Sequence, residues 1–181
     1  MSDYRRAIIP GATYFFTVVS YRRRPILCEP EIRTALHEAI NWVRELRPFT
    51  IDAWVLLPDH LHTIWTLPAN EADFATRWQS IKRRVSSQSA AFLLNATQLN
   101  TSKIKRREAS LWQRRFWEHC IRDDHDFARH MDYLHYNPVK HGLVTRVQDW
   151  PYSTFHRHVK AGRYPLNWGG QAEGIDIVGA E

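Results

Sequence analysis

Two histidines separated by one residue could together hold a divalent metal ion. His60 and His62 lie in the apolar run WVLLPDHLHTIW, residues 54–65. Alternate residues of a β-strand point to the same face, so both imidazoles could bind one ion while Leu61 packs on the opposite face. The alternative is a half-buried polar face of an edge strand, because such a pair arises readily by chance among ten histidines.

The same spacing recurs at His156 and His158, in a different local pattern. This part of the sequence predicts a short helix over 153–161, and side chains two residues apart on a helix point in nearly opposite directions. We therefore expect these two histidines to contact phosphate or solvent separately, rather than to bind one ion.

A tyrosine and an asparagine four residues apart form a second chemically capable group. Tyr133 and Asn137 share one face of a predicted helix, and His130 lies three residues before Tyr133 on that side. Tyr136 is rotated by about 100° from Asn137, so Tyr133 is the better candidate nucleophile and Tyr136 the second. The alternative is that both tyrosines pack in the core with wet hydroxyls.

The composition predicts one globular domain with an anionic partner. The chain has 181 residues, including 8 Trp, 8 Phe and 7 Tyr, which is enough for a sizeable core. Its formal net charge is +6 and its pI is about 9.6, which favours nucleic acid or an anionic membrane face as the partner. An ordinary basic soluble protein is the alternative.

Other classes of protein are disfavoured by what the sequence lacks. The first residues do not resemble a signal peptide, and no apolar stretch is long enough to span a bilayer. Cys28 and Cys120 are too few for a disulfide framework. We expect a protein of the reducing cytoplasm in which neither thiol has a role.

The hydrophobic pattern predicts an alternation of strands and helices. Strands are expected at 12–20, 49–57, 60–67 and 116–122, and helices at 30–47, 71–92, 123–140 and 153–161. This order is that of a ferredoxin-like (RRM-like) α+β fold, with an antiparallel sheet and helices on one of its faces. Residues 93–110 are predicted to be a polar loop, and Pro138 to end the long helix near Asn137.

Two of the predicted helices have clear faces. The helix over 30–47 places an apolar stripe inward that ends at Leu46. The helix over 71–92 is predicted to have an inner and an outer face. The inner residues are Phe74, Trp78, Ile81 and Val85, and the outer ones are Arg77, Lys82, Arg83 and Arg84.

Ordered segments along nearly the whole chain resemble the REP-associated tyrosine transposases. These are bacterial single-tyrosine transposases of the HUH endonuclease superfamily. The resemblance is carried by WVLLPDHLHTIWTLP at 54–68, WQRRFWEHCIR at 112–122 and DYLHYNPVKHGLV at 132–144, with YRR at 4–6 and DWPYSTFH at 149–156. The segment 93–110 matches no motif of the family.

The resemblance implies a site and a reaction. His60 and His62 would be metal ligands, with Asn137 as the third ligand in a place where insertion-sequence relatives often have Gln. The metal would be Mg²⁺ or Mn²⁺. Tyr133 would attack single-stranded DNA, form a 5′-phosphotyrosine and release a 3′-OH. A phenol is a weak nucleophile at neutral pH, and the metal or Lys140 could lower its pKa.

The resemblance also implies a substrate: a REP palindrome, which is a DNA hairpin with a short tetranucleotide on its 5′ side. Arg5 and Arg6 are candidates for reading the tetranucleotide, and Trp112 and Trp117 for stacking on bases. The predicted DNA-contacting residues are Arg5, Arg6, Arg22, Arg23, Arg24, Lys82, Arg83, Arg84, Arg114, Arg115 and Lys140.

The expected organisation is a catalytic domain over 1–147 followed by a basic, aromatic tail over 148–181 that packs on it. A monomer is favoured, with Tyr133 serving the metal site of its own chain, and a homodimer is the alternative. We expect a cytoplasmic, nucleoid-associated protein with no membrane partner. Two other functions remain open: a non-catalytic nucleic-acid-binding module on the same fold, and a metal hydrolase that activates water.

Overall fold

A computed structural model describes residues 8–97 and 111–169, except for the side chains of residues 94–97. The predicted DNA contacts at Arg5 and Arg6, and most of the predicted loop over 93–110, lie outside these ranges. So does the end of the tail beyond residue 169.

The sheet has four antiparallel strands in the order β2-β3-β1-β4. They are Thr13–Val19 (β1), Thr50–Leu56 (β2), His60–Thr66 (β3) and Trp117–Cys120 (β4). Aromatic and β-branched residues favour these segments as strands because they pack well on a pleated surface. The antiparallel pairing of β2 with β3, across a short turn at Pro58 and Asp59, confirms the prediction.

The helices complete the ferredoxin-like order. They are Pro30–Leu46 (α1), Phe74–Gln88 (α2), Ala90–Thr97 (α3), Asp124–Lys140 (α4) and Phe155–Lys160 (α5). The Asp73 side chain accepts a bond from the Thr76 amide at the start of α2, and Asp123 caps α4 in the same way. None of the helices described is long and apolar enough to cross a membrane.

Helices cover both faces of the sheet, so the prediction that they lie on one face was wrong. Residues of β1 alternate between two cores: Tyr14 and Phe16 pack with α1 and α2, whereas Phe15 packs with Leu134 of α4. Both faces of these strands are apolar and must be buried. The helices α1 and α2 cover one face, and α4 covers the other as an additional layer.

Two predicted helix bounds and one predicted helix face differ from the structure. The helix expected over 71–92 is two helices, because the chain bends at Ser89 and α3 continues through the start of the predicted loop. Pro138 lies inside α4, where it gives up only its own amide bond, and the amide of His141 still bonds to the carbonyl of Asn137 at 3.0 Å. Leu46, in the last turn of α1, is 62% exposed rather than part of the inner stripe.

Arg77 was predicted on the outer face of its helix and is instead fully buried. Its guanidinium donates to the backbone carbonyls of Arg47, Pro48 and Asp73 and to the carboxylate of Glu71. Five donors in a fixed fork can satisfy several carbonyls at once, so the buried charge is compensated. The residue joins the end of α1 to α2 and has no access to DNA.

The chain after residue 147 closes one edge of the sheet. Ser153 bridges to Val55 of β2, and the amide of Leu56 bonds to the carbonyl of Tyr152 at 2.8 Å. The bond from the Thr154 amide to the carbonyl of Trp54 is 2.9 Å long. These contacts pair an edge that would otherwise expose a row of backbone groups.

The buried His135 makes the folding stability pH-dependent. Burial is the main cause that lowers the pKa of His135 to about 3, and the nearby charges of His158 and Arg157 act in the same direction. The unfolded chain takes up this proton near pH 6.5 and the folded chain does not. The protein therefore has its full stability above pH 6.5. As the pH falls from 6.5 toward 3 it loses stability, because the proton binds the unfolded chain and not the folded one.

We expect the free energy of unfolding to decrease between pH 7.5 and 5 by up to about 1.4 kcal/mol per pH unit from this group. Urea unfolding of His135→Gln, whose amide can still bond to Thr154, should show a shallower pH dependence than wild type. His156→Gln changes an exposed histidine and serves as the control. Equal slopes for wild type and His135→Gln would contradict the assignment.

Candidate catalytic site

The structure brings His60, His62 and Tyr133 together, and Asn137 follows one helical turn after Tyr133 on the same face of α4. The ring centroids of His60 and His62 are 4.8 Å apart, and the Tyr133 ring lies 5.3 Å from that of His62. None of these three, nor Asn137, is more than 4% exposed. The two histidines occupy the face of β3 that α4 covers, and Leu61 is buried on the other face, as strand geometry predicts.

Each histidine ring is held through one nitrogen. Nδ1 of His60 bonds to the carboxylate of Asp59 at 2.7 Å, and Nδ1 of His62 bonds to the hydroxyl of Thr17 at 2.9 Å. Within the part of the chain that the structure describes, the Nε2 atoms of both histidines have no hydrogen-bond partner. Metal-binding histidines usually have this arrangement, in which a second residue fixes the ring and the free nitrogen binds the ion.

Asn137 completes the group. It is fully buried, and neither atom of its amide has a hydrogen-bond partner among residues 8–97 and 111–169. A buried polar atom without a partner costs about 1–3 kcal/mol, so the retention of this amide one helical turn after Tyr133 is explained by a ligand. Two nitrogens and one amide oxygen fit a divalent cation that keeps further positions open.

Burial and surrounding positive charge keep His62 neutral. Burial is the first cause that holds the pKa of His62 well below its usual range, followed by the charges of His60, His141, Lys140 and Arg23. A neutral imidazole can bind a metal, whereas an imidazolium cannot. Lys140 and Arg23, which are cations, also create a field that attracts a phosphate.

Arg23 is the member of the predicted basic loop that reaches the site. Its Nη1 lies 3.2 Å from Asp59, the residue that holds His60. Burial would raise the pKa of Asp59, but its bonds to His60 and Arg23 keep the pKa below the ordinary value. Arg22 and Arg23 have φ of 57° and 51°, in the left-handed region that costs side-chain-bearing residues roughly 1–2 kcal/mol each.

Two basic residues at the end of α4 border the cluster. The Lys140 ammonium lies over the Tyr133 ring, 5.2 Å from its centroid. The His141 ring lies 5.2 Å from that of His60, and sequence reasoning missed it. The sequence could have predicted this position, because His141 lies four residues after Asn137 and residues four apart share a helix face. Asp59 was also missed, although it directly precedes His60.

The other predicted DNA-contacting residues are divided between two sides of the molecule. Arg24 belongs to the turn beside the site, whereas Lys82, Arg83 and Arg84 belong to α2 on the opposite face of the sheet. The Lys82 ammonium bonds to the carbonyls of Gln113 and Arg114, and burial lowers its pKa to about 8. Arg84 stacks on Trp42, while Arg83, Arg114 and Arg115 are exposed.

The second histidine pair does not converge. His156 is exposed and bonds to the carbonyl of Gln148, whereas His158 is buried and bonds to the carbonyl of Asp52.

A second group that could hold a metal ion consists of His119, Asp126 and His130, whose ligand atoms lie within 4.8 Å of one another. His119 Nε2 bonds to the Asp126 carboxylate at 2.8 Å, and His130 Nδ1 donates to the Asp126 carbonyl at 2.8 Å. The two rings are stacked at 14°. Lone pairs in parallel ring planes do not converge on one ion, so we interpret this group as a hydrogen-bond network.

A ferredoxin-like sheet with two histidines against the tyrosine of one helix is the arrangement that the resemblance to single-tyrosine transposases predicts. The chain is 46% identical over 170 residues to the REP-associated tyrosine transposase of Escherichia coli, covering 94% of this chain and 92% of that protein. A Haemophilus influenzae relative with the same family description is 44% identical, with 96% of each chain covered. The chain therefore belongs to the REP-associated tyrosine transposases, which are DNA transesterases.

A solved structure supports the same assignment. The REP-associated tyrosine transposase bound to a REP hairpin matches with a TM-score of 0.77 and 44% sequence identity, covering 96% of this chain and 94% of that one. No family model matches the chain.

The unsatisfied amide of Asn137 predicts a gain in stability when it is removed. In Asn137→Leu, a side chain of similar shape replaces two buried polar atoms that lack partners, so we expect the free energy of unfolding in EDTA to rise by about 1–2 kcal/mol. Urea unfolding measures it. Asn41→Leu, on the exposed surface of α1, should bring no such gain. A destabilised Asn137→Leu would show that the amide has partners within the fold.

Proposed function

We propose that this chain is a metal-dependent single-stranded DNA endonuclease and strand transferase that acts on REP-type hairpins through a 5′-phosphotyrosine. The observation that carries the proposal is the single buried cluster of Tyr133, His60, His62 and Asn137. The hairpin substrate is proposed from the solved relative, which is bound to a REP hairpin.

The reaction exchanges one phosphodiester for another. The phenol oxygen of Tyr133 attacks the phosphorus of the scissile phosphate and gives up its proton. The bond from phosphorus to the 3′ oxygen breaks, and that oxygen leaves as a 3′-OH. Because the new bond is also a phosphodiester, attack by another 3′-OH can reverse the step and join strands. No nucleotide cofactor is required.

His60 and His62, through Nε2, and Asn137, through its amide oxygen, would hold Mg²⁺ or Mn²⁺. When bound, the metal supplies positive charge next to the phosphate. Asp59 and Thr17 keep the two rings oriented, which leaves the ligand nitrogens facing the site. Lys140 and Arg23 add fixed positive charge on either side, which favours a phosphodiester in the site.

The Tyr133 nucleophile lies close to the histidines of its own chain, which supports a site that one chain completes. In insertion-sequence relatives a dimer shares its sites, with the tyrosine of one chain serving the partner. Here the Tyr133 ring is 5.3 Å from His62 of the same chain. We therefore propose a monomer in which Tyr133 serves the metal site of its own chain.

Tyr133→Phe should abolish a covalent protein–DNA adduct. The expected adduct is detected on a denaturing gel after incubation with Mn²⁺ and a REP hairpin that carries its single-stranded 5′ flank. Tyr136→Phe, in the same helix and half-buried, is the matched control and should retain the adduct. An adduct formed by Tyr133→Phe would refute this nucleophile. Cleavage without any adduct in wild type would favour a water-activating hydrolase, and binding without cleavage would favour a binding module.

Thr17→Val should weaken metal binding because it removes the hydroxyl that orients His62. Loss of such an orienting partner typically reduces metal affinity about 10–100-fold, and calorimetric titration with Mn²⁺ measures this. Thr13→Val removes a hydroxyl from the same strand that instead bonds to Thr66, and it should leave the affinity unchanged. Equal affinities for wild type and Thr17→Val would mean that His62 is not a ligand through Nε2.

A further inference from the structure

Two ring side chains extend the catalytic face of the sheet beyond the cluster. Trp117 and His119 lie on β4, and β1 joins them to the catalytic strand: Thr17 pairs with His62 on one side and with Trp117 on the other. Adjacent strands are about 4.8 Å apart, so the backbone at Trp117 is two strand spacings, or roughly 10 Å, from that at His62. Phe15 contacts both residues, with centroid distances of 5.3 Å to His62 and 5.9 Å to Trp117.

The two rings are stacked in parallel, and solvent reaches both residues. The Trp117 and His119 planes differ by 6°, with centroids 6.0 Å apart. Both residues are part-exposed, and the His119 side chain is 24% exposed. Trp112, the other tryptophan that the sequence suggested for stacking, is 3% exposed and belongs to the core on the opposite face.

His119 is fixed in orientation by groups beneath it. Its Nε2 bonds to Asp126 at 2.8 Å, and the His130 ring stacks against it with centroids 4.6 Å apart. Asp126 also accepts bonds from the Arg122 amide and guanidinium. Burial would raise the pKa of Asp126, but its bonds to His119 and Arg122 lower it to about 2, so the group is a carboxylate. With Nε2–H donated to this carboxylate, Nδ1 of His119 accepts a hydrogen bond when the ring is neutral, and it donates one to a phosphate oxygen only when the ring is an imidazolium.

We propose that Trp117 and His119 bind the single-stranded nucleotide next to the scissile phosphate, with the base stacked on Trp117 and the phosphate contacted by His119. This inference rests on the proposed function, because it places the nucleotide beside the Tyr133 cluster. A part-exposed aromatic ring on a sheet is a platform for an unpaired base, and each such stack contributes about 1–3 kcal/mol. Arg122, whose side chain is 73% exposed, adds positive charge at the same edge.

Direct DNA binding tests the stacking contact. Fluorescence anisotropy compares a REP hairpin with its 5′ single-stranded flank and the same hairpin without the flank. Trp117→Ala should weaken binding of the flanked hairpin about 5–150-fold and leave the flankless hairpin unchanged. Trp117→Phe keeps a smaller ring and should lose less. Trp42→Ala, which removes a 40% exposed tryptophan from α1, should affect neither DNA.

A methylphosphonate substitution next to the scissile position tests the phosphate contact. The neutral linkage should weaken binding to wild type and have no further effect on His119→Asn. Wild-type affinity of Trp117→Ala for the flanked hairpin would overturn the proposal. So would equal loss with both DNAs, or a methylphosphonate effect that is unchanged in His119→Asn.

The outcome is separable from that of the proposed function. The reaction is scored on the adduct of the wild-type protein, and the subsite is scored on DNA binding by Trp117→Ala. If wild type forms no adduct but Trp117→Ala loses flank-dependent binding, the reaction is refuted and the subsite stands. If the adduct forms and flank binding is unchanged in Trp117→Ala, the subsite is refuted and the reaction stands.

Discussion

The register between β1 and β3 is the constraint on which the catalytic cluster depends. Thr17 lies directly opposite His62, so the hydroxyl that orients the ring arrives through strand pairing alone. A shift of one residue would turn both histidines into the core under α1 and α2. Trp65 prevents this, because it is fully buried in that core and stacks on Trp78 with centroids 4.2 Å apart. Packing on one face thereby fixes the chemistry of the other.

The catalytic cluster also requires that α4 remain helical beyond Pro138. Asp123 caps the start of α4, and Asp126 ties its first turn to β4 through His119. The far end of α4 presents Tyr133, Asn137 and Lys140 to the histidines. Because the helix continues for two residues beyond Pro138, positive charge is brought to the site. The buried amide of Asn137 is a local cost that the two apolar cores offset.

Sequence patterns were sufficient where a residue's role follows from local geometry. Alternation along β3 paired His60 with His62, and the four-residue spacing in α4 paired Tyr133 with Asn137. The family resemblance joined the two pairs, and the Tyr133 ring lies 5.3 Å from that of His62. Sequence patterns failed where the partner is distant in sequence. The local pattern predicts Arg77 on the surface, because the carbonyls of Arg47 and Pro48 that accept its hydrogen bonds lie some 30 residues away in sequence. The role of Thr17 depends on a strand register that a single strand does not specify, and the layer on the second sheet face depends on where α4 docks.

The contact between the tail and β2 has a consequence for synthesis of the chain. The bond between Trp54 and Thr154 joins residues 100 positions apart, so the β2 edge stays open on the ribosome until almost all of the described chain has emerged. Contacts of such long range are slow to form, and an unpaired edge can capture other strands meanwhile. The tail also bonds to His135 of α4 through Thr154. Co-translational folding therefore gives the nucleophile helix its final support last, so a truncated product would have neither a closed sheet edge nor a fully braced helix.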